Sequence, residues 1–336
     1  MRAPSWSALP ALTTTMSGNT QPTASAARAG TKPPSTVSRT LTPPGPLGSG
    51  WTRIAKIGYG TASALLGTSA GGDAGSIQWG PSYGTQVPDK TWWYADSAKR
   101  RLAHFSDSGT YLGRVTIPTS CLSQGVDFQW QNPQALADGT VVLTSTTIDS
   151  PGLLLLSPTS QLRTVALDRF VSVVISDGHR LYGFDENQEK VQIAPRTGTI
   201  TTVPTFAGQT GDTFNITVAP SYLTVTRPDV SVRINLAASG FEGAIVHPGV
   251  EAAVGTDGKL WLLITGMVEL DPDHTPLVLG ILNVTTTGVV SPVSPVRRPT
   301  SESDPADGHH LGIRYGGRHP WLMFIDTDAV RVYRRK

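Results

Sequence analysis

From residue 51 onward the chain alternates short apolar runs with polar turns, and no apolar periodicity long enough for a helix of several turns interrupts them. The clearest stretch, TWWYADSAKRRLAHFSDSGTYLGRVTI at 91–117, divides into a strand at Trp92 to Ala95, a polar connection from Asp96 to Arg101, a strand at Leu102 to Phe105, a Ser-Asp-Ser-Gly turn and a third strand at Tyr111 to Ile117. Strands of four to eight residues bounded by tight polar turns are the signature of antiparallel hairpins. The hairpin recurs in five weaker copies: TVVLTS with GLLLLSPTSQ, RLYGFD with KVQIAPRTG, YLTVTR with VRINLAASG, KLWLLI with LGILNVTTTG, and WLMFID with VRVYRR. Asp-Gly turns in ADGTVV, SDGHRLY and TDGKLWL supply the positive-φ residue that a hairpin needs.

The first strands of these pairs begin near 91, 140, 180, 222, 259 and 321. All spacings except the last fit the roughly 40–50 residues of a four-stranded propeller blade. The last interval carries the insertions MVELDPDHTP and SPVRRPTSESDPADG. Six strands precede the pairs and are expected to be innermost: IQWG, QALA, VSVVIS, NITVAP, AAVG and HLGIRY. The expected fold is therefore all-β, a six-bladed propeller of four-stranded antiparallel blades. The final unit stops after its third strand, whereas WTRIAKIGYG, at 51–60, alternates like a strand and belongs to no unit. Ring closure resolves both, with residues 51–58 as the outermost strand of the C-terminal blade. Closure removes the exposed edges that paired sandwiches or an open solenoid would leave.

Composition supports this picture and narrows the function. Glycine (35 residues) and proline (26) are abundant and charged residues make only 15% of the chain, which disfavours long helices. No apolar run approaches the length of a membrane-spanning helix. A lone cysteine, Cys121, excludes an internal disulfide and a cysteine zinc site. Residues 1–50 are dominated by Thr, Ser, Pro, Ala and Gly and hold Arg2, Arg28, Lys32 and Arg39 with no acid. Such a segment cannot bury enough surface to offset its ordering entropy, so it is expected to be a disordered tether, extended at Pro33-Pro34 and Pro43-Pro44, ahead of a propeller domain at 51–336. The remaining chain is close to neutral, which speaks against a nucleic-acid partner. After Arg2, the stretch SWSALPAL is broken by Ser7 and Pro10 and makes a poor signal peptide, so the tether suggests a secreted or envelope protein while a cytoplasmic address stays open.

The segment WWYADSAKRRLAHFSDSGTYLGRV resembles the NHL-repeat family of six-bladed β-propellers, with Asp96, Arg101, Phe105, Gly109 and Leu112 on the family pattern. The resemblance covers this one blade, and the other five share its spacing. It implies an architecture used for protein binding, RNA binding and a few lyases and hydrolases, and names no activity.

Candidate chemistry is sparse. Gly67-Thr68-Ser69-Ala70-Gly71 spells a nucleophile elbow, but the helix that must follow it is absent from GDAGSIQWG. Trp93, Trp261 and Trp321 occupy similar places in the repeat and are expected to pack between blades, whereas Trp79 and Trp130, near innermost strands, are candidates for stacking on an axial ligand. The two insertions and the start of the last inner strand hold the candidate binding residues: Glu269, Asp271, Asp273, His274, Arg297, Arg298, Asp304, Asp307, His309 and His310. This mixed-charge set suits a partner surface more than a dry catalytic pocket. Adjacent residues of a regular strand face opposite ways, so His309 and His310 cannot both ligate one ion, and no metal or cofactor is expected. The function expected is thus a monomeric, non-enzymatic interaction module for a protein or glycan. The alternative is a lyase- or lactonase-like enzyme, which requires His, Glu or Asp side chains converging on the axis from several innermost strands; His309 and His310, with Glu242 and His247, are the nearest candidates.

Overall fold

The computed structural model describes residues 35–40, 50–67, 83–123, 129–219, 222–235, 245–268, 277–288, 290–293, 308–325 and 329–336. Among them are no α-helices, only two single 3-10 turns at Ser97–Lys99 and Thr119–Cys121. Among the described residues no helix is long and apolar enough to cross a membrane.

The strands, in chain order, are β1 (Ser35–Thr40) and β2 (Trp51–Gly58), then six groups. Blade 1 holds β3 (Gly84–Gln86), β4 (Trp92–Asp96), β5 (Arg101–Phe105) and β6 (Tyr111–Thr116). Blade 2 holds β7 (Trp130–Ala135), β8 (Val141–Ser145), β9 (Gly152–Leu156) and β10 (Leu162–Ala166). Blade 3 holds β11 (Val171–Ser176), β12 (Leu181–Asp185), β13 (Lys190–Ala194) and β14 (Thr199–Thr202). Blade 4 holds β15 (Phe206–Ala207), β16 (Thr213–Ala219), β17 (Tyr222–Arg227) and β18 (Val230–Asn235). Blade 5 holds β19 (Ile245–Val254), β20 (Leu260–Val268), β21 (Leu277–Val284) and β22 (Val290–Val293). Blade 6 holds β23 (Gly308–Gly312), β24 (Trp321–Ile325) and β25 (Ala329–Arg335). The fold is a six-bladed β-propeller, and its closure is as expected: β2 pairs antiparallel with β25, from Trp51 opposite Arg335 to Gly58 opposite Ala329.

Burial explains the patterning. The middle strands of each blade are covered by neighbouring blades on both sides, so β8 and β9 are buried at every position and read as continuous apolar runs. The outermost β6 is covered on one side only and alternates half-buried with exposed residues. Clusters of buried side chains bridge adjacent blades, one joining Leu223 and Val225 of blade 4 to Leu260 and Leu262 of blade 5. Each such side chain contributes about 1.5–3 kcal/mol.

Two details differ from the sequence reading. In blade 4 the expected innermost strand, NITVAP, is the second strand, and YLTVTR with VRINLAASG form the third and fourth. The true first strand is only Phe206–Ala207, and its turn closes through Gly208 N–H to Asp212 C=O (3.1 Å), with the Gly-Asp order that hides it from a search for Asp-Gly. In blade 1 the first strand is Gly84–Gln86, while IQWG lies outside the described residues. As expected, Trp93 packs between blades, against the apolar cluster shared by blades 1 and 2 and stacked on His104 (ring centroids 4.2 Å apart), while Trp92 on the opposite face is fully buried against Trp321 of blade 6, ring centroids 5.0 Å apart. Within the segment expected to be a tether, Ser35–Thr40 forms a fifth strand on blade 4, parallel to β18.

The residues that carried the family resemblance are structural. Asp96 and Arg101 form a buried ion pair (2.7 Å), Phe105 is buried, and Gly109, at φ +86°, occupies a turn where an added Cβ would come within 3.2 Å of Ala55 on the closing strand. Only glycine accepts that conformation without strain. Leu112 is half exposed on the outer strand.

A polar clasp reinforces the seam between blades 6 and 1. Arg334 on β25 donates to both oxygens of Asp107 (2.6 and 3.0 Å) and to Gln86 Oε1 (3.2 Å), and Gln86 Nε2 donates to Asp107 Oδ1 (2.7 Å). Partial burial opposes ionisation of Asp107, but the Arg334 and Gln86 donors outweigh it and hold its carboxyl below the ordinary 3.8. A carboxylate whose pKa falls on folding stabilises the protein above its unfolded value, and that contribution disappears as pH drops through the folded one. Asp107→Asn should therefore flatten the loss of stability that the intact protein shows below about pH 4. Urea midpoints measured from pH 7 to pH 2.5 check this; an unchanged acid slope contradicts it.

Candidate functional site at the axial mouth

The first strands of the blades surround the axis. Each begins on one face of the ring, the entry face, and ends on the opposite turn face, because consecutive strands of a blade run antiparallel. On the turn face the connections are short, as at 87–91, 136–140 and 208–212, with one exception, 313–320 between β23 and β24.

That exception seals the axis. Gly316 N–H donates to Gln209 Oε1 (2.7 Å), while Gln209 Nε2 donates to the carbonyls of Val254 (2.6 Å) and Gly317 (3.2 Å). Thr256 N–H reaches Gly317 C=O (2.9 Å), and Arg314 reaches Pro88 C=O (2.8 Å). The Tyr315 ring lies against Gly178, where an added Cβ would overlap it, and edge-on to His179 with ring centroids 6.0 Å apart. One loop of blade 6 thereby touches blades 1, 3, 4 and 5, and Gln209, with its amide groups satisfied from three sides, is its hub.

Behind this seal the channel is narrow. Its cavity has a volume of about 40 Å³ and is lined by Thr85, Gln134, Ser176, Gln209 and His310 among apolar neighbours. A polar cavity of that size has room for a water molecule.

The polar cluster nearest the axis joins blades 5, 6 and 1. His310 Nδ1 lies 3.1 Å from Glu251 Oε2, and the same carboxylate oxygen accepts Leu311 N–H (2.6 Å). A carboxylate only accepts, so Nδ1 carries the proton and Nε2 of a neutral His310 is left as an acceptor. The imidazole is buried between Tyr83 (centroids 4.9 Å) and Trp321 (5.3 Å), whereas the Glu251 side chain is 31% exposed. Burial, and secondarily the Glu251 charge, push the Tyr83 phenol well above its usual range, so it stays a hydrogen-bond donor. The arrangement presents, within one small area, a carboxylate, an imidazole and a phenol.

The strand ends that flank most of the long connections belong to the entry face. The connections entering blades 5, 6, 1 and 2 span 236–244, 294–307, 59–83 and 117–129, and 269–276 lies within blade 5; those entering blades 3 and 4 span only 167–170 and 203–205. The strand ends flanking both sequence-identified insertions therefore belong to one face.

Of the residues singled out from the sequence, His310 is the one brought into a described cluster. Glu269, Asp271, Asp273, His274, Arg297, Arg298, Asp304 and Asp307 lie outside the described residues, as do Glu242, Trp79 and Thr68 to Gly71. His309 and His247 are placed on β23 and β19 by their backbones. Trp130 is buried and its indole donates to Cys121 C=O (2.7 Å), so it supports the core and offers no face to an axial ligand. Sequence reasoning missed Glu251, whose signal is an acid inside the apolar run VEAAV, and Tyr83, which carries none. Among the described residues no three His, Cys, Asp or Glu side chains gather to hold a metal.

The sequence model of the family described as "Domain of unknown function (DUF7485)" matches residues 49–335. The chain belongs to this family. Its match starts just ahead of the closing strand β2 and ends in β25, so the family unit is the whole ring. The NHL resemblance of the blade 1 segment has no counterpart in this family match. No curated protein matches the chain. Among solved structures it is similar to a catalytically inactive variant of virginiamycin B lyase from Staphylococcus aureus (13% identity, TM-score 0.44, 75% of this chain and 80% of that one). A structural genomics protein of unknown function from Bacteroides thetaiotaomicron (14%, 0.46, 84% and 76%) and a putative gluconolactonase (12%, 0.43, 88% and 94%) are similar too. Likenesses at this level carry no activity over to this chain.

Proposed function

We propose that this DUF7485 protein is a non-enzymatic interaction module that holds a protein partner on the entry face of its propeller, over blades 5, 6 and 1. The observation that carries this reading is that the strand ends flanking the long connections and the Glu251, His310 and Tyr83 cluster share blades 5, 6 and 1. Loops can lengthen without disturbing a packed ring, and recognition uses that freedom. The acids and bases of 265–308, from Glu269 to Asp307, give such a surface the mixed charge of an interface rim.

The test compares the intact protein with two variants, Tyr83→Ala with Glu251→Gln, and deletion of 269–276 with 294–307. Partners captured by the intact protein and identified by mass spectrometry should be lost from both, while melting stays within a few degrees. Recovery of the same partners by both variants would reject the assignment.

The His310–Glu251 hydrogen bond supports a second reading, a lyase- or lactonase-like enzyme with His310 Nε2 as the proton acceptor. On that reading Glu251→Gln lowers turnover of a lactone or cyclic ester and shifts its pH profile, because the imidazole loses its fixed tautomer. Absence of turnover in the intact protein rejects it.

A further inference from the structure

We propose that the seam between blades 1 and 2 carries, at its outer margin, a slot for one aromatic ring, floored by Gly113, and that an aromatic side chain of a partner protein fills it. The site lies on the flank of the ring toward the turn face, apart from the surface assigned above, and the inference does not rest on that reading.

A row of cross-strand neighbours leads to the slot. Trp93 on β4 is aligned with His104 on β5, and His104 with Gly113 on β6. The two rings stack face to face, centroids 4.2 Å apart and planes 2° from parallel, so the stack runs across the strands toward the edge of the blade. Its next place, one strand further out, is vacant. A β-carbon built on Gly113 meets nothing within 4 Å, so the imidazole does not lean over the glycine and its outer face looks onto the gap. A ring seated there continues the stack at the strand spacing of about 4.8 Å.

The fold has no need of glycine at this position. Gly113 lies inside β6, its φ is not in the left-handed region, and the neighbouring space is open. The register shift beside it leaves Leu112 as the extra residue, and a bulge that demands glycine would hold it in the left-handed conformation. What remains is the close approach of another molecule, the other use of glycine within a strand.

The chemistry of the slot selects the occupant. His104 Nε2 lies 2.8 Å from Thr91 Oγ1, and that hydroxyl donates to Asp89 Oδ1 (2.8 Å), so Nε2 carries the proton and donates. Burial, partly offset by the Asp89 charge, holds the imidazole below its ordinary pKa of 6.5, which leaves an uncharged aromatic face at neutral pH. Val115 and, across the seam, Leu162 pack against the same apolar cluster as Trp93, and Leu112 is 51% exposed at the rim. A free small molecule is fixed in its pocket by converging polar groups. Carbon walls and a stacking face suit instead a ring held from behind by its own backbone, and aromatic side chains are enriched among the anchors of protein interfaces.

The test titrates N-acetyltryptophanamide, a tryptophan side chain with its flanking peptide groups, into the full chain carrying isotope-labelled histidine. The His104 ring protons, assigned by their disappearance in His104→Gln, should shift upfield to saturation, as protons under an aromatic face do, while those of His310 stay in place. The shift should be lost in Gly113→Leu, whose side chain fills the slot, and that variant should melt no lower than the intact chain. An unmoved His104, an equal shift in Gly113→Leu, or a response to methyl glucoside in place of the tryptophan probe would overturn the proposal. So would a Gly113→Leu chain that melts well below the intact one, since the glycine would then serve the fold.

Discussion

A chain that starts at residue 60 is expected to aggregate, or to melt far below the intact protein. β2 covers β25 along its whole length and buries Trp51, Ala55 and Ile57. Without it, β25 becomes an open edge, and Val330 and Val332, now fully buried, lose the cover of Ala55 and Ile57 in the same cluster. Burial of Trp51 and Ile57 alone is worth about 1.5–3 kcal/mol each, and the ladder adds to it, so the loss is a large share of the ~5–15 kcal/mol that stabilises a typical domain. The Arg334 clasp to Asp107 would remain, but it joins the end of β25 to a single turn of blade 1 and cannot replace a strand. Size-exclusion chromatography with calorimetry measures the effect. Melting unchanged from the intact chain would refute the closure argument.

Arg101→Met should cost about 3–5 kcal/mol, the penalty for leaving a buried partner charge uncompensated. Arg101 donates to Asp96 Oδ2 and to the carbonyls of Ser63 (2.8 Å) and Leu65, while Asp96 Oδ1 accepts Gly67 N–H (2.9 Å). The pair therefore pins the connection that follows β2 to the β4–β5 connection of blade 1, and so locks the closure from its other end. Replacing Arg101 alone strands the Asp96 carboxylate with one donor. Replacing both, Asp96→Leu with Arg101→Met, removes the unpaired charge and should cost less than the single change. Chemical denaturation of both variants makes the comparison; a double variant less stable than Arg101→Met would show that the carbonyl contacts, and not the charge, dominate.

The fold could be read from the chain because its information is local. A hairpin is specified by a few turn residues and the apolar strands beside them, and six such hairpins at regular spacing leave one architecture that also uses the unpaired strand at 51–58 and the incomplete last unit. The same local logic failed in blade 4, where a two-residue first strand, Phe206–Ala207, is too short to carry a pattern. Without it the reading slid by one strand, and nothing in YLTVTR or NITVAP shows which of them lies nearer the axis.

The candidate site could be read only in part. His310 stood out as a histidine beside an inner strand, but its partner Glu251 is 59 residues away, in a different blade, and becomes its neighbour only when two first strands come together around the axis. Gln209, Gly316 and Gly317 seal the turn face although they are more than 100 residues apart in the chain, with no motif to link them. Sequence alone therefore determined the number of blades, the closure and the all-β character of the described residues, since hairpin turns and strand alternation act over a few residues. The tertiary structure alone decided which side chains meet at the axis and what covers each sheet edge, because those contacts depend on the curvature of the closed ring, a property of all six blades together and of none singly.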